Sequence, residues 1–117
     1  MAYRILLVDD EPILREALAC LLEFDGYDVE TAQDGPEALE LLARRSYDLI
    51  LSDVRMPQMS GEALYRHIEH GWPRLAPRVV FMTAERLSNG GTIPILTKPF
   101  TREHVRQVVA TVIARAA

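Results

Sequence analysis

Three short apolar runs, each followed within two residues by charged side chains, constrain the fold of this chain more than any other feature. The runs occupy residues 5–8, 49–52 and 93–96, and the residues that follow them are Asp9 and Asp10, Asp53, and Lys98 with Pro99. Runs of this length are typical of buried parallel strands. Because the carboxyl ends of parallel strands meet at one edge of a sheet, three carboxylates and one ammonium group gather there. The sequence therefore predicts a magnesium and phosphoryl site at this edge.

Strand-like and helix-like stretches alternate along the chain. The predicted strands are residues 4–8, 27–32, 47–52, 78–82 and 93–96. Pro12 suits the first position of a helix, and the apolar stripe of that helix begins at Ile13. Asp34 and Thr101 suit the N-cap positions of two later helices, and residues 62–70 form a short helix between them. Alternating β and α units indicate an α/β fold, in which a parallel sheet carries helices on both faces.

One connection breaks this alternation. Only nine residues, 84–92, separate Thr83 from Ile93, and Asn-Gly-Gly stands in their middle. A parallel crossover through a helix needs about a dozen residues or more. Nine extended residues reach about 30 Å, which is enough to return along a strand without a helix. We therefore expect one helical turn at most in this connection.

The composition excludes several classes of protein. At 117 residues, the chain has the size of one domain, spanning 1–117. A net charge of −4 gives no reason to expect direct nucleic-acid binding. No apolar stretch approaches the roughly 20 residues that span a membrane. The single cysteine, Cys20, cannot form an internal disulfide, and we interpret it as a helix-packing residue in a cytoplasmic protein.

The acidic residues form a plausible magnesium site. Magnesium prefers about six oxygen ligands in an octahedron and keeps several waters. Asp10 and Asp53 each offer one oxygen, Asp9 offers a partner for a metal-bound water, and the backbone carbonyl of Arg55 offers a further ligand.

The same residues support phosphoryl chemistry. A carboxylate such as Asp53 can act as a nucleophile and become an aspartyl phosphate. Lys98 supplies a positive charge for the phosphoryl oxygens, and Thr83 supplies a hydroxyl donor to another of them.

The chain resembles a known family. Four motifs, in this order and each after an apolar strand, resemble those of receiver domains of two-component response regulators. They are Leu7-Val8-Asp9-Asp10-Glu11, Asp53-Val54-Arg55-Met56-Pro57 with Gly61, Thr83-Ala84, and Lys98-Pro99-Phe100. The resemblance covers essentially the whole chain.

The resemblance implies a flavodoxin-like fold with strand order 2-1-3-4-5 and a site at the carboxyl ends of the strands. It implies that Asp53 accepts a phosphoryl group from a phosphohistidine of a sensor histidine kinase or a histidine phosphotransfer protein. Asp9 and Asp10 would hold Mg²⁺, and Thr83 and Lys98 would contact phosphoryl oxygens. A cis Lys98–Pro99 bond is also implied. Such a domain is not an enzyme beyond its own phosphorylation and dephosphorylation.

Two departures from the family pattern fall on one face. The family's fourth helix is missing or truncated between Thr83 and Ile93. Ile95 stands three positions before the lysine, where the family usually carries an aromatic residue that turns inward on activation. Both features belong to the face on which such domains usually dimerise. The departures therefore predict a monomer or a non-standard dimer.

Several functional alternatives remain open. The chain is expected to be a single-domain response regulator, because its first strand begins near Met1 and its last helix ends near Ala117. It is alternatively the receiver module of a larger response regulator or of a hybrid histidine kinase. A phosphohydrolase of the haloacid dehalogenase type needs an Asp-x-Asp pair after the first strand, whereas Asp9 and Asp10 are adjacent. A degenerate receiver that binds a partner without phosphorylation is the remaining alternative.

Overall fold

The chain folds around a parallel five-stranded sheet with the order β2-β1-β3-β4-β5. The computed structural model describes residues 2–84 and 93–116. The strands are β1 Arg4–Val8, β2 Asp28–Ala32, β3 Leu49–Asp53, β4 Val79–Thr83 and β5 Ile95–Thr97. The helices in the described ranges are α1 Pro12–Phe24, α2 Gly35–Arg44, α3 Gly61–Gly71 and α4 Arg102–Ala116, with one 3₁₀ turn at Ala76–Arg78. The predicted fold class and strand order are confirmed.

The sequence predicts that the family's fourth helix is missing or truncated in the connection between β4 and β5. Residues 85–92 lie outside the described residues, so that prediction stays a prediction. The helix labelled α4 is the one predicted to begin after Thr101.

Side chains of the central strands point alternately to two apolar layers, because successive residues of a strand face opposite sides of the sheet. Leu7 and Leu51 pack in the layer that contains α1 and α4. Leu6 and Ile50 pack in the opposite layer, against α2 and α3. Burial on both faces explains why β1 and β3 are continuous apolar runs rather than alternating ones.

Strand boundaries differ from the predicted ones by one or two residues. Strands β3 and β5 begin two residues later than predicted, at Leu49 and Ile95. The structure ends β3 at Asp53 and β4 at Thr83, one residue beyond each predicted end. Asp53 pairs with Met82 across these strands, so the ladder holds the backbone of Asp53 in place. The carboxylate that ends β3 is therefore attached to the rigid sheet rather than to a free loop.

Helix α1 buries a narrower face than the sequence suggested. Leu18 and Leu22 are buried, whereas Ile13 is 85% exposed, so its predicted place in the buried stripe is wrong. At 3.6 residues per turn, Ile13 lies roughly 140° around the helix from Leu18. Cys20 is also exposed, which contradicts its interpretation as a packing residue. The helix ends before Gly26, whose φ of 97° is one that glycine adopts without steric cost.

The helix starts follow from side-chain caps. Asp34 Oδ1 accepts a hydrogen bond from the Glu37 N–H at 2.9 Å, as the predicted cap of α2. Thr101 Oγ1 accepts one from the His104 N–H at 3.1 Å, as the predicted cap of α4. Caps of this kind satisfy amide groups that have no partner inside the helix. None of the helices in the described ranges has the length and apolar character that crossing a bilayer requires.

Candidate functional site

The sheet brings the predicted site residues to one edge. Asp9 follows β1, Asp53 ends β3, Thr83 ends β4 and Lys98 follows β5. The backbone fixes two of these positions: the Asp9 N–H donates to the Ala32 carbonyl at 3.1 Å, and the Lys98 N–H donates to the Thr83 carbonyl at 2.7 Å. The carboxyl ends of four strands therefore hold these side chains at the same edge, where open α/β sheets commonly bind ligands.

Three carboxylates meet at the centre of this edge. One oxygen from each of Asp9, Asp10 and Asp53 lies within 4.8 Å of the other two. Asp9 and Asp53 are buried, whereas Asp10 is exposed. Like charges at this separation repel one another, and the repulsion is stronger where burial removes water.

Asp9 shows that this cluster is fit for a cation. Its Oδ1 accepts a hydrogen bond from the Glu11 N–H at 2.9 Å. Its Oδ2 is buried and has no hydrogen-bond partner among the residues that the structure describes. Burial raises the pKa of Asp9, and the neighbouring Asp53 carboxylate raises it further, against the opposing effects of the Glu11 N–H and of Lys98. A buried, unpartnered carboxylate oxygen beside two other carboxylates suits a hard cation that prefers oxygen ligands.

Lys98 faces the carboxylate that ends β3. Its Nζ lies 3.3 Å from Asp53 Oδ2 and 3.9 Å from Glu11 Oε1. It is the only lysine in the chain, in which every other Lys or Arg position is arginine. A compact ammonium group and a planar guanidinium are not interchangeable, because the guanidinium needs more space and a fixed fork geometry. The Lys98–Pro99 peptide bond is cis, as the resemblance implied.

Thr83 and Arg55 occupy the remaining predicted positions. Thr83 is buried at the end of β4, beside the strand that carries Lys98. The side chain of Arg55 is exposed in the loop after β3, which leaves its backbone carbonyl as the predicted ligand. That loop is anchored on both sides of the site: the Val54 N–H donates to the Met82 carbonyl at 3.1 Å, and the Gly61 N–H donates to the Val54 carbonyl at 2.8 Å.

Gly61 has a structural role that the motif alone did not explain. A Cβ added at this position would overlap the backbone carbonyl oxygen of Asp53 and would lie 3.0 Å from Val54 Cα. Only glycine lets α3 start this close to the end of β3. The backbone of Asp53 is therefore supported by the first residue of the following helix.

Arg15 is the site residue that the sequence analysis missed. Its Nη1 donates to the backbone carbonyl of Asp9 at 2.8 Å, so α1 holds the acidic loop that precedes it. A signal was present in the sequence: Arg15 lies near the N-terminus of α1, where a positive charge is unfavourable to the helix dipole. The contact with the Asp9 carbonyl compensates for this unfavourable position.

The whole chain is similar to proteins of one family. The family model described as "Response regulator receiver domain" matches residues 5–110. The Response regulator MprA of Mycobacterium sp. (strain KMS) is 38% identical over 111 residues, which are 90% of this chain and 48% of that protein. The Sensor histidine kinase RcsC of Salmonella typhi is 39% identical over 113 residues, which are 91% of this chain and 12% of that protein. The chain thus spans half or less of the length of these curated relatives.

Solved structures agree with this similarity. The response regulator protein TrrA from Thermotoga maritima, in complex with Mg²⁺-BeF, superposes with a TM-score of 0.85 at 30% sequence identity. The match covers 96% of this chain and 99% of that chain. The strand order 2-1-3-4-5 also agrees with this similarity. The chain belongs to the response regulator receiver domain family, the receivers of two-component systems.

Proposed function

We propose that Asp53 is the phosphoryl acceptor of this receiver and takes the group from a phosphohistidine of a sensor histidine kinase or a histidine phosphotransfer protein. The observation that carries the proposal is the position of the Asp53 carboxylate, which ends a buried strand 3.3 Å from Lys98 Nζ and beside two further aspartates. In the transfer, a carboxylate oxygen of Asp53 bonds to phosphorus while the bond from phosphorus to the histidine nitrogen breaks. The electron pair of the broken bond stays on the imidazole nitrogen, which takes up a proton.

Lys98 and Thr83 stabilise the charge that the transfer brings in. The Lys98 ammonium group already lies against Asp53 Oδ2, and the phosphoryl oxygens enter the same space. A charge-assisted hydrogen bond in a partly buried site is worth more than one in water. Thr83, buried at the end of the neighbouring strand, donates its hydroxyl to a second phosphoryl oxygen.

Asp9, Asp10, Asp53 and the carbonyl of Arg55 would hold Mg²⁺ at this edge. The unpartnered Oδ2 of Asp9 supports that assignment, and the relative TrrA is described in complex with Mg²⁺-BeF. Bound Mg²⁺ supplies positive charge that offsets the repulsion between the carboxylates and the phosphoryl oxygens. Asp9 is held by hydrogen bonds with the Glu11 N–H and Arg15 Nη1, and its carboxylate would orient a water of that ion rather than react itself.

We propose that residues 1–117 form one receiver domain, which contains the acceptor site. Its chemistry is limited to its own phosphorylation and dephosphorylation, and we propose a cytoplasmic location. The same site serves a single-domain regulator or the receiver of a larger protein. TrrA, of which this chain matches 99%, supports the first arrangement, whereas MprA and RcsC, of which it matches 48% and 12%, support the second. In neither arrangement does the proposed site contact nucleic acid.

Acetyl phosphate tests the acceptor directly. With Mg²⁺ present, the intact mass of the protein is expected to rise by one phosphoryl group, and removal of Mg²⁺ with a chelator is expected to abolish the gain. Asp53→Asn should remove labelling, because an amide cannot form the acyl phosphate. Asp34→Asn is the matched control, since Asp34 caps α2 and is not one of the three clustered carboxylates. Labelling that persists in Asp53→Asn would assign the acceptor elsewhere.

A further inference from the structure

A second cleft lies at the opposite edge of the sheet from Asp53. Its volume is about 890 Å³, within the range of roughly 300–1,000 Å³ that is typical of small-molecule sites. One wall is formed by residues 42–47, between the end of α2 and the start of β3. The other wall is formed by residues 72–75 with Arg78, between the end of α3 and the start of β4. We call this space the basal cleft.

The basal cleft concentrates positive charge on an acidic protein. Four arginines line it, among 13 Lys and Arg residues in a chain of net charge −4; they are Arg44, Arg45, Arg74 and Arg78. Two of these arginines form ion pairs within the protein: Arg45 Nη1 lies 2.7 Å from Glu30 Oε2, and Arg78 Nη1 lies 3.7 Å from Asp48 Oδ1.

The remaining two, Arg44 and Arg74, are exposed, one on each wall. Neither forms an ion pair within residues 2–84 and 93–116. Two exposed guanidinium groups that line one cleft from different segments suit an anionic ligand group, because guanidinium binds phosphate oxygens in a bidentate manner.

The floor of the basal cleft is apolar and aromatic. Leu75 and Tyr47 are buried there, and Trp72 is half-buried at the end of α3. The Tyr47 hydroxyl donates to Glu30 Oε1 at 2.6 Å, so Tyr47 shapes the floor without offering a free hydroxyl. The partly exposed indole of Trp72 offers a planar surface on which an aromatic ring can stack. Planar arginine side chains add to such stacking.

We propose that the basal cleft binds a nucleotide, with its base against Trp72 and its phosphate between Arg44 and Arg74. The ligand that fits this cleft is small, with an aromatic ring for the planar indole surface and an anionic end for the two unpaired guanidinium groups.

An acidic peptide is the competing occupant, but extended peptides bind along a free strand edge or in a groove for a helix. The cleft lies between loops and helix ends, at the amino-terminal ends of β3 and β4, which are both paired interior strands. The proposal goes beyond the acceptor chemistry and does not depend on it.

Titration with ADP in a chelator tests the proposal without engaging the acidic site. Trp72 is the only tryptophan, so its fluorescence reports on the basal cleft alone. We expect saturable quenching by ADP and a matching binding isotherm by calorimetry. Arg44→Gln combined with Arg74→Gln should weaken ADP binding at least roughly tenfold, because two charge-assisted contacts are lost. Trp72→Leu should weaken the calorimetric affinity as well, which tests the aromatic part separately.

The matched control is Arg66→Gln combined with Arg115→Gln, which removes two exposed arginines outside the cleft. That variant should bind ADP like the parent protein. The proposal is overturned if the parent shows no saturable binding of ADP, or if both double variants lose affinity equally. It is also overturned if inorganic phosphate or a glutamate-rich peptide binds as tightly as ADP, because the base would then play no part. Labelling of Asp53 by acetyl phosphate should be unchanged in the Arg44/Arg74 variant, which separates this test from that of the acceptor.

Discussion

The ammonium group of Lys98 lies 3.3 Å from the carboxylate of Asp53, although 45 residues separate the two in the sequence. Asp53 ends β3 and Lys98 follows β5, and these two strands are not neighbours, because β4 lies between them. The contact therefore depends on the register of three strands rather than on one loop. A pair held in this way is already arranged before a phosphoryl group arrives, and little reorganisation is needed on phosphorylation.

Lys98→Gln is expected to slow the phosphorylation of Asp53 by acetyl phosphate by roughly 10- to 100-fold, since a hydrogen bond to a charged group contributes about 1.5–3 kcal/mol. Time courses of intact mass measure the rate. Arg102→Gln is the control, because Arg102 is an exposed cation at the start of α4. An unchanged rate in Lys98→Gln would show that the ammonium group does not act on the incoming phosphoryl group.

Gly61→Ala is expected to destabilise the protein by about 1–3 kcal/mol, because its Cβ overlaps the carbonyl of Asp53 and α3 or β3 must shift. It should also slow phosphorylation, since the shift moves the acceptor. Gly71→Ala provides the matched control at the other end of the same helix. A Cβ there meets nothing within 4 Å, so Gly71→Ala should be neutral or stabilising by up to roughly 1 kcal/mol. Urea unfolding measures both variants, and equal effects would contradict the proposed role of Gly61.

The apolar runs were sufficient to predict the parallel sheet and the charged residues at its carboxyl edge other than Arg15, whereas the strand order was implied by the resemblance to the receiver family. Apolar runs reveal buried parallel strands, and parallel strands bring their ends together whatever the lengths of the loops. The chemistry proposed for Asp53 and Lys98 rests on that geometry and on the resemblance to the receiver family.

Contacts that depend on exact positions in space were not predictable in the same way. The support that Gly61 gives to Asp53 depends on how closely α3 approaches β3. The exposure of Ile13 depends on which side of α1 meets the sheet, and an apolar residue beside a buried stripe gives no indication of that. The basal cleft was missed because its arginines lie in two segments, at residues 44–45 and 74–78, that only the fold brings together.

Asp9→Asn is expected to stabilise the protein in the absence of Mg²⁺, by about 1–2 kcal/mol at neutral pH. The raised pKa of Asp9 means that the folded state disfavours its charged form, so stability falls as the pH rises from the ordinary Asp value through the raised one. An amide removes that charge and can donate to the neighbouring carboxylates. The stabilisation should vanish in acid, below about pH 4, where the carboxyl group is neutral in both states.

The same variant should lose the stabilisation that Mg²⁺ gives to the parent protein. Thermal unfolding with and without Mg²⁺ measures both effects. Asp25→Asn serves as the control, because Asp25 pairs with Arg106 on a different face. A variant that is less stable than the parent without metal would show that the negative charge of Asp9 is needed for folding, and the metal assignment would lose its main support.

The face formed by β5 and α4 is one through which receivers commonly dimerise. We expect this protein not to form that dimer, with or without phosphorylation. The sequence predicts no regular crossover helix in the nine-residue connection between Thr83 and Ile93, and Ile95 stands where the family usually carries an aromatic residue. If the connection forms no full helix, a symmetric interface through this face would lack one of its elements. Light scattering on the protein with Mg²⁺ and acetyl phosphate measures the mass in solution.

Asp53→Asn, which cannot be phosphorylated, is the reference state. A phosphorylation-dependent doubling of mass that is lost on mutation of α4 residues exposed beside β5, such as Gln107→Glu, would contradict this prediction.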